Sequence, residues 1–338
     1  MYILGVILFV VFVIILPCIT MNIYNKTFGE RCEVREYEAY KAEQFENLEL
    51  QPCSFNSNKG LRLSAYKYSK KGITPKGVFV FVHGLCGGHR NYLDVCNYFA
   101  SNGYLVFTYD ATGNGESEGT KVGGFAQGLA DLDYALNFVK EQPEYKGLPI
   151  FLMGHSWGGY CVGNILNFHP DVKAVVSVSG FDTSAALLRQ YSEVHMGKAV
   201  TLLMPYVSLY ERICWGKYAT VSACQGFANS KAKVMIIHST DDPTVFTENG
   251  YGRYYEKFAS DDRFVFKLYN DRGHTFPVNS DKSRAYRLAY REKYFKAVEE
   301  GGEAAGKEYL DTYTDRTGCM ELDEALMTEI LELFSHAI

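Results

Sequence analysis

The chain is predicted to fold as an α/β protein with a mostly parallel central sheet flanked by helices. Two observations carry this. Short apolar runs closed by turn signals recur between residues 61 and 269, as expected for strands buried on both faces. Between them lie stretches with apolar residues three and four apart, so strands alternate with helices. The first 25 residues carry no charged side chain and stand outside that alternation.

Those residues come first. "YILGVILFVVFVIILPCI" (2–19) is almost wholly apolar and just long enough to cross a bilayer core as a helix. It lacks a basic start and a small-x-small cleavage site, so a membrane anchor over 1–25 is expected rather than a cleaved leader. Lys26, Arg31 and Arg35 follow it and no Lys or Arg precedes it, which favours a cytoplasmic body over 26–338. The nine cysteines are odd in number and form no CxxC pair, so they read as free thiols of a reducing compartment.

The segment "EVREYEAYKAEQFENLEL" (33–50) is charged and mixed, a short helix or a connector. Next, "LRLSAYKY" (61–68) alternates like a strand. "GVFVFVH" (77–83), "YLVFTYD" (104–110), "PIFLMG" (149–154), "AVVSVSG" (174–180), "KVMIIHS" (233–239) and "RFVFKLY" (263–269) are the buried-strand candidates. Phe125, Leu129, Leu132, Leu136 and Val139 share a helical face, as do Leu322, Leu326, Ile330 and Leu333. The interval 181–232 between two strands is apolar, aromatic and too long for a simple crossover. It is read as an inserted helical lid, and "EEGGEAAGKE" (299–308) as a solvated segment.

Apolar residues make up 47 % and charged residues 22 %, with a net charge of −5. That is a globular composition without a basic stripe, which argues against nucleic acid as a partner. The eight histidines show no metal-ligand spacing such as HExxH, and no metal or organic cofactor is expected.

The chemistry concentrates in "GHSWGG" (154–159). Gly-x-Ser-x-Gly carries weight only between a strand and a helix; "PIFLMG" precedes it and "YCVGNILNF" follows it. A serine hydroxyl needs a base and an acid to become a nucleophile. Downstream, one strand runs into "TDDPTV" and the next into "NDRGHTFP", which brings an aspartate and His274 to the serine's edge of the sheet.

Over about residues 60–280 these motifs resemble the α/β-hydrolase superfamily, and more narrowly its branch of monoacylglycerol lipases and S33-type serine aminopeptidases. "FVHGLCGG" is similar to that branch's oxyanion strand end, "DATGNGES" to its Asp-x-x-Gly-x-Gly turn, "IIHSTDDPTV" to its acid turn and "GHTF" to its histidine turn. The resemblance implies an α/β-hydrolase fold with the lid at about 181–232. It implies Ser156 as nucleophile, His274 as base, Asp242 as acid with Asp241 as runner-up, and the backbone N–H groups of Leu85 and Trp157 as oxyanion donors. Two positions depart from the pattern. Thr112 stands where the branch often has a structural arginine, and Ser239 where a glycine is common.

Blander readings attach to the neighbours. His83 and His155 are packing or supporting residues, Cys86 a buried thiol, and Asp110 a turn cap. Tyr191, Tyr206, Tyr210 and Trp215 either line a substrate pocket or pack on the body. The expected function is hydrolysis of a carboxylic ester, with a small-molecule ester or lipid as substrate. The alternatives are an aminopeptidase, with Glu193 or Glu211 binding a free amine, and a non-catalytic binding protein. Acyl transfer is not separable from hydrolysis on these residues.

Overall fold

The computed structural model describes residues 2–338. The N-terminal helix α1 runs from Tyr2–Phe28, with a π-helical turn at Val11–Ile15. Its outer part, residues 2–15, is exposed almost throughout, whereas Thr20, Tyr24 and Phe28 are buried in the body.

Eight strands build one sheet: β1 (Leu48–Asn56), β2 (Arg62–Lys70), β3 (Gly77–Val82), β4 (Tyr104–Tyr109), β5 (Ile150–His155), β6 (Ala174–Val178), β7 (Lys233–Ser239) and β8 (Phe264–Tyr269). Their order is β1-β2-β4-β3-β5-β6-β7-β8. Neighbours from β4 through β8 run parallel, and β2 is antiparallel to both β1 and β4.

The central strands are apolar on both faces because helices cover both. Val78, Val80 and Val82 face the layer of α3 (Phe125–Glu141) and α4 (Trp157–Asn164), with Leu129, Leu132 and Leu136. Phe79 and Phe81 face the opposite layer of α2 (Leu93–Ser101) and the C-terminal α10 (Glu324–Ser335), with Phe99, Ile330 and Phe334. This is the period of two in a strand.

Between β6 and β7 lie α5 (Ser184–Met196), α6 (Met204–Trp215) and α7 (Ala223–Asn229). This helical insertion is tied to the body at its far end. The Tyr218 hydroxyl donates to Asp133 (2.6 Å) and the Trp215 indole to Gln127 (3.1 Å). Trp215 is buried there, while Tyr191 stays exposed. Helix α8 (Tyr251–Phe258) precedes β8.

Two segments take a more definite form than expected, and one reading is overturned. Of the two readings of residues 33–50, the connector fits: residues 33–47 carry two single 3₁₀ turns, and β1 follows them. Residues 299–308 are mostly exposed, as expected of a solvated segment, and helical within α9 (Asp281–Thr312), whose one break is at Gly302 (φ 72°). Cys32 and Cys86 are joined as a disulfide and so are not free thiols; the other seven cysteines are free. The bond links the segment after α1 to the loop after β3, two elements too far apart in sequence for spacing to reveal it.

Candidate active site

Strand β5 ends at His155 and α4 begins at Trp157, so Ser156 occupies the whole turn. Its backbone is strained, at φ 56° and ψ −114°. Close packing makes the flanking glycines necessary. A Cβ on Gly158 would stand 2.0 Å from the Val82 carbonyl oxygen, and one on Gly154 2.3 Å from that of Gly158. The Ser156 N–H donates to the carbonyl of Val178 (2.8 Å), which pins the turn to β6.

His274 comes from the turn after β8, and Asp242 from the turn after β7. His274 Nε2 lies 2.9 Å from Ser156 Oγ, and its Nδ1 lies 2.7 Å from Asp242 Oδ2. The other oxygen of Asp242 accepts the N–H groups of Thr244 and Val245 (2.8 and 2.9 Å). Burial alone would raise the pKa of this carboxyl. Its hydrogen bond with His274 and the two amides outweigh burial and hold it below the usual range. Asp241 does a different job. Its Oδ1 accepts the Ser239 hydroxyl (2.5 Å) and the Gly273 N–H (3.0 Å), so it shapes the turn that carries His274.

Trp157 is the first residue of α4, and its N–H has no acceptor within the helix. Among the described residues, Leu85 N–H likewise meets no acceptor. Leu85 and Ser156 are half-buried.

The two flanking histidines are structural. His83 Nδ1 donates to Gly84 O (2.7 Å), and its Nε2 accepts the Ala111 N–H (2.9 Å). His155 accepts the Tyr92 hydroxyl at Nδ1 (2.9 Å) and donates from Nε2 to His274 O (2.7 Å). Burial, more than any other cause, pushes the pKa of His155 down to about 3, so its ring is neutral. Tyr92 was invisible in the sequence, since no motif marks it. Asp110 accepts N–H groups from His89 (2.8 Å) and Glu116 (3.0 Å), holding the turn after β4. Thr112 donates twice to buried Asp131 (2.8 and 3.0 Å). His195 lies on the exposed end of α5 against Tyr191. Among the described residues no group of His, Cys, Asp and Glu is arranged to hold a metal ion.

A serine hydroxyl, an imidazole and a carboxylate in this order can generate an alkoxide equivalent and return its proton. The backbone N–H groups beside them can receive negative charge on an oxygen.

The sequence profile described as "Serine aminopeptidase, S33" matches residues 73–213. Human monoglyceride lipase is 34 % identical over 95 residues, 28 % of this chain and 31 % of that protein. The Saccharomyces cerevisiae monoglyceride lipase is 25 % identical over 142 residues, 40 % of this chain and 43 % of that one. The matched stretches therefore span less than half the length of these relatives. Among solved structures, an esterase of Pyrococcus furiosus superposes with a TM-score of 0.55 at 15 % identity, covering 82 % of this chain and 96 % of that one. An acetyl xylan esterase from Paenibacillus superposes with a TM-score of 0.53 at 16 % identity, covering 77 % and 87 %. At such identities these two likenesses concern the fold.

Proposed function

We propose that the chain is an α/β-hydrolase, as the profile match over residues 73–213 and the shared fold support, and that it is a membrane-anchored serine hydrolase that cleaves esters of hydrophobic acyl groups. The observation that carries this reading is His274, set 2.9 Å from Ser156 Oγ and 2.7 Å from Asp242.

In the proposed mechanism Ser156 Oγ attacks the ester carbonyl carbon while His274 Nε2 takes its proton. The oxyanion rests against the N–H groups of Leu85 and Trp157. Asp242 holds the imidazolium in place. His274 then gives the proton to the leaving alcohol, and an acyl-serine remains. Water, deprotonated by the same imidazole, attacks this ester. The acid leaves and Ser156 recovers its proton.

A hydrophobic acyl substrate is supported by relatives named monoglyceride lipase and by the apolar lid. The aminopeptidase reading would need a free acidic group for the substrate amine. Glu211 is buried and already accepts two hydroxyls, and Glu193 is half-buried and already bonded to Thr201. The presence of Ser156, His274 and Asp242 in one hydrogen-bonded line argues against a purely non-catalytic binding role.

Membrane attachment is supported by the exposed apolar residues of α1 before Leu16, a surface that water would not cover cheaply. The buried Tyr24 and Phe28 favour an uncleaved helix, because removing it would open the core. Lys26, Arg31 and Arg35, which follow the helix, support a body on the cytoplasmic side. The Cys32–Cys86 bond is the observation against that side, and protease protection in sealed vesicles decides between them.

The test of the activity is a p-nitrophenyl ester series from acetate to palmitate, with Ser156→Ala as control. A maximum at medium or long chains supports the proposal. A preference for acetate, or no turnover by folded protein, contradicts it.

A further inference from the structure

Helix α1 does more than leave the body towards a membrane. In lid helix α6, Glu211 is 1 % exposed. One of its oxygens, Oε1, accepts the Tyr24 hydroxyl of α1 (2.9 Å) and the Ser184 hydroxyl at the start of α5 (2.6 Å). Three elements thus meet at one buried oxygen. Around it, the Tyr24 ring meets Tyr210 edge-on (5.2 Å) and Trp215 at 5.9 Å, and the Tyr210 hydroxyl donates to Asn25 (3.2 Å).

The body makes room for this joint. A Cβ on Gly124, just before α3, would stand 2.1 Å from the Tyr24 hydroxyl oxygen. Phe28 packs on Phe125 (5.0 Å), whose carbonyl accepts the Trp157 indole N–H (2.9 Å). The inner end of α1 is therefore two contacts away from the residue that follows Ser156. A passive tether needs none of these contacts.

We propose that Tyr24 and Glu211 are positioning residues that hold lid helix α6 against α1, so that the lid keeps one place at the Ser156 edge of the sheet during turnover and thereby sets which acyl chains are accepted. This rests on the ester-hydrolase reading above. The physical basis is the dry, shared acceptor. Without the Glu211 oxygen two buried hydroxyls lose their partner at once. Glutamine keeps that oxygen, whereas leucine removes it.

The test uses full-length protein in lipid nanodiscs, with Glu211→Leu, Glu211→Gln and Tyr24→Phe. Amide hydrogen exchange across residues 204–215 is expected to quicken in Glu211→Leu and Tyr24→Phe and to stay near wild type in Glu211→Gln. With Glu211→Leu, kcat/KM for a long-chain ester is expected to fall about 10-fold or more, as loss of positioning predicts. Labelling of Ser156 by a small fluorophosphonate is expected to stay within about 2-fold, since the nucleophile and its base are untouched. The proposal is overturned if folded Glu211→Leu and Tyr24→Phe exchange like wild type. Equal loss for every substrate and for the probe also overturns it, as does Glu211→Gln behaving like Glu211→Leu. Wild type that neither labels nor hydrolyses sinks the hydrolase reading instead, and the exchange measurement still reports whether the joint holds the lid.

Discussion

The Nε2–H of His155 donates across 2.7 Å to the backbone carbonyl of His274. The residue before the serine thus fixes the backbone of the histidine that faces it. Tyr92 extends the chain, donating to His155 and accepting the Gly84 N–H (3.4 Å) from the loop that carries Leu85. Tyr92→Phe removes both contacts without changing the packing shape. Turnover is expected to drop about 10-fold in kcat with little change in KM, since geometry rather than binding is lost. Steady-state ester kinetics check this; an unchanged kcat would show that the link is idle.

The two adjacent aspartates should separate. Asp242→Asn is expected to reduce kcat by about 10⁴-fold, because the amide no longer holds His274 in the right tautomer. Asp241→Asn disturbs only the turn around Gly273 and should cost about 10-fold or less. The same assay on both variants decides, and a larger loss at Asp241 would reverse the assignment.

The elbow glycines should be intolerant for steric reasons. Gly158→Ala drives a Cβ into the Val82 carbonyl and is expected to destabilise the fold by about 3 kcal/mol or more. Gly147→Ala, with φ 80° and open space around it, should cost only about 1 kcal/mol. Thermal melts of the two variants compare these directly.

Two carboxyls should shape stability in opposite directions with pH. Burial, the largest cause, raises the pKa of Asp131 to about 6. A raised carboxyl contributes stability that is complete below its unfolded value of about 3.9 and is lost as pH rises through the folded value. Asp131→Asn should therefore flatten the decline in stability between about pH 4 and pH 7. Asp242 is held below the usual range despite burial, so its contribution is present at neutral pH and is lost as pH falls below about 4. Asp242→Asn should flatten that acid limb. Chemical denaturation at stepped pH reads both.

The parts of the fold legible in the sequence are those where one physical demand dominates. Strands β3 and β5 are buried on both faces, so their sequences are continuous apolar runs. Strand β1 escaped notice because it is an edge strand, mostly exposed, with Pro52 inside it. Helix α9 escaped because its exposed second half has no apolar stripe and contains Gly301 and Gly302. Ser156, His274 and an aspartate of the pair Asp241–Asp242 could be named as candidates because each follows an apolar strand at the same sheet edge, and the resemblance to the hydrolase branch implied Asp242. Tyr92 and the Glu211 joint could not, since a hydrogen bond between residues 63 or 187 positions apart leaves no local pattern.

Every proposed step depends on Ser156 being an activated nucleophile. The most direct measurement is mass spectrometry of the intact protein and its peptides after treatment with a fluorophosphonate. A single adduct is expected on Ser156, absent in Ser156→Ala and strongly slowed in His274→Ala. Folded wild-type protein that remains unmodified, or an adduct on another residue that survives Ser156→Ala, would contradict it.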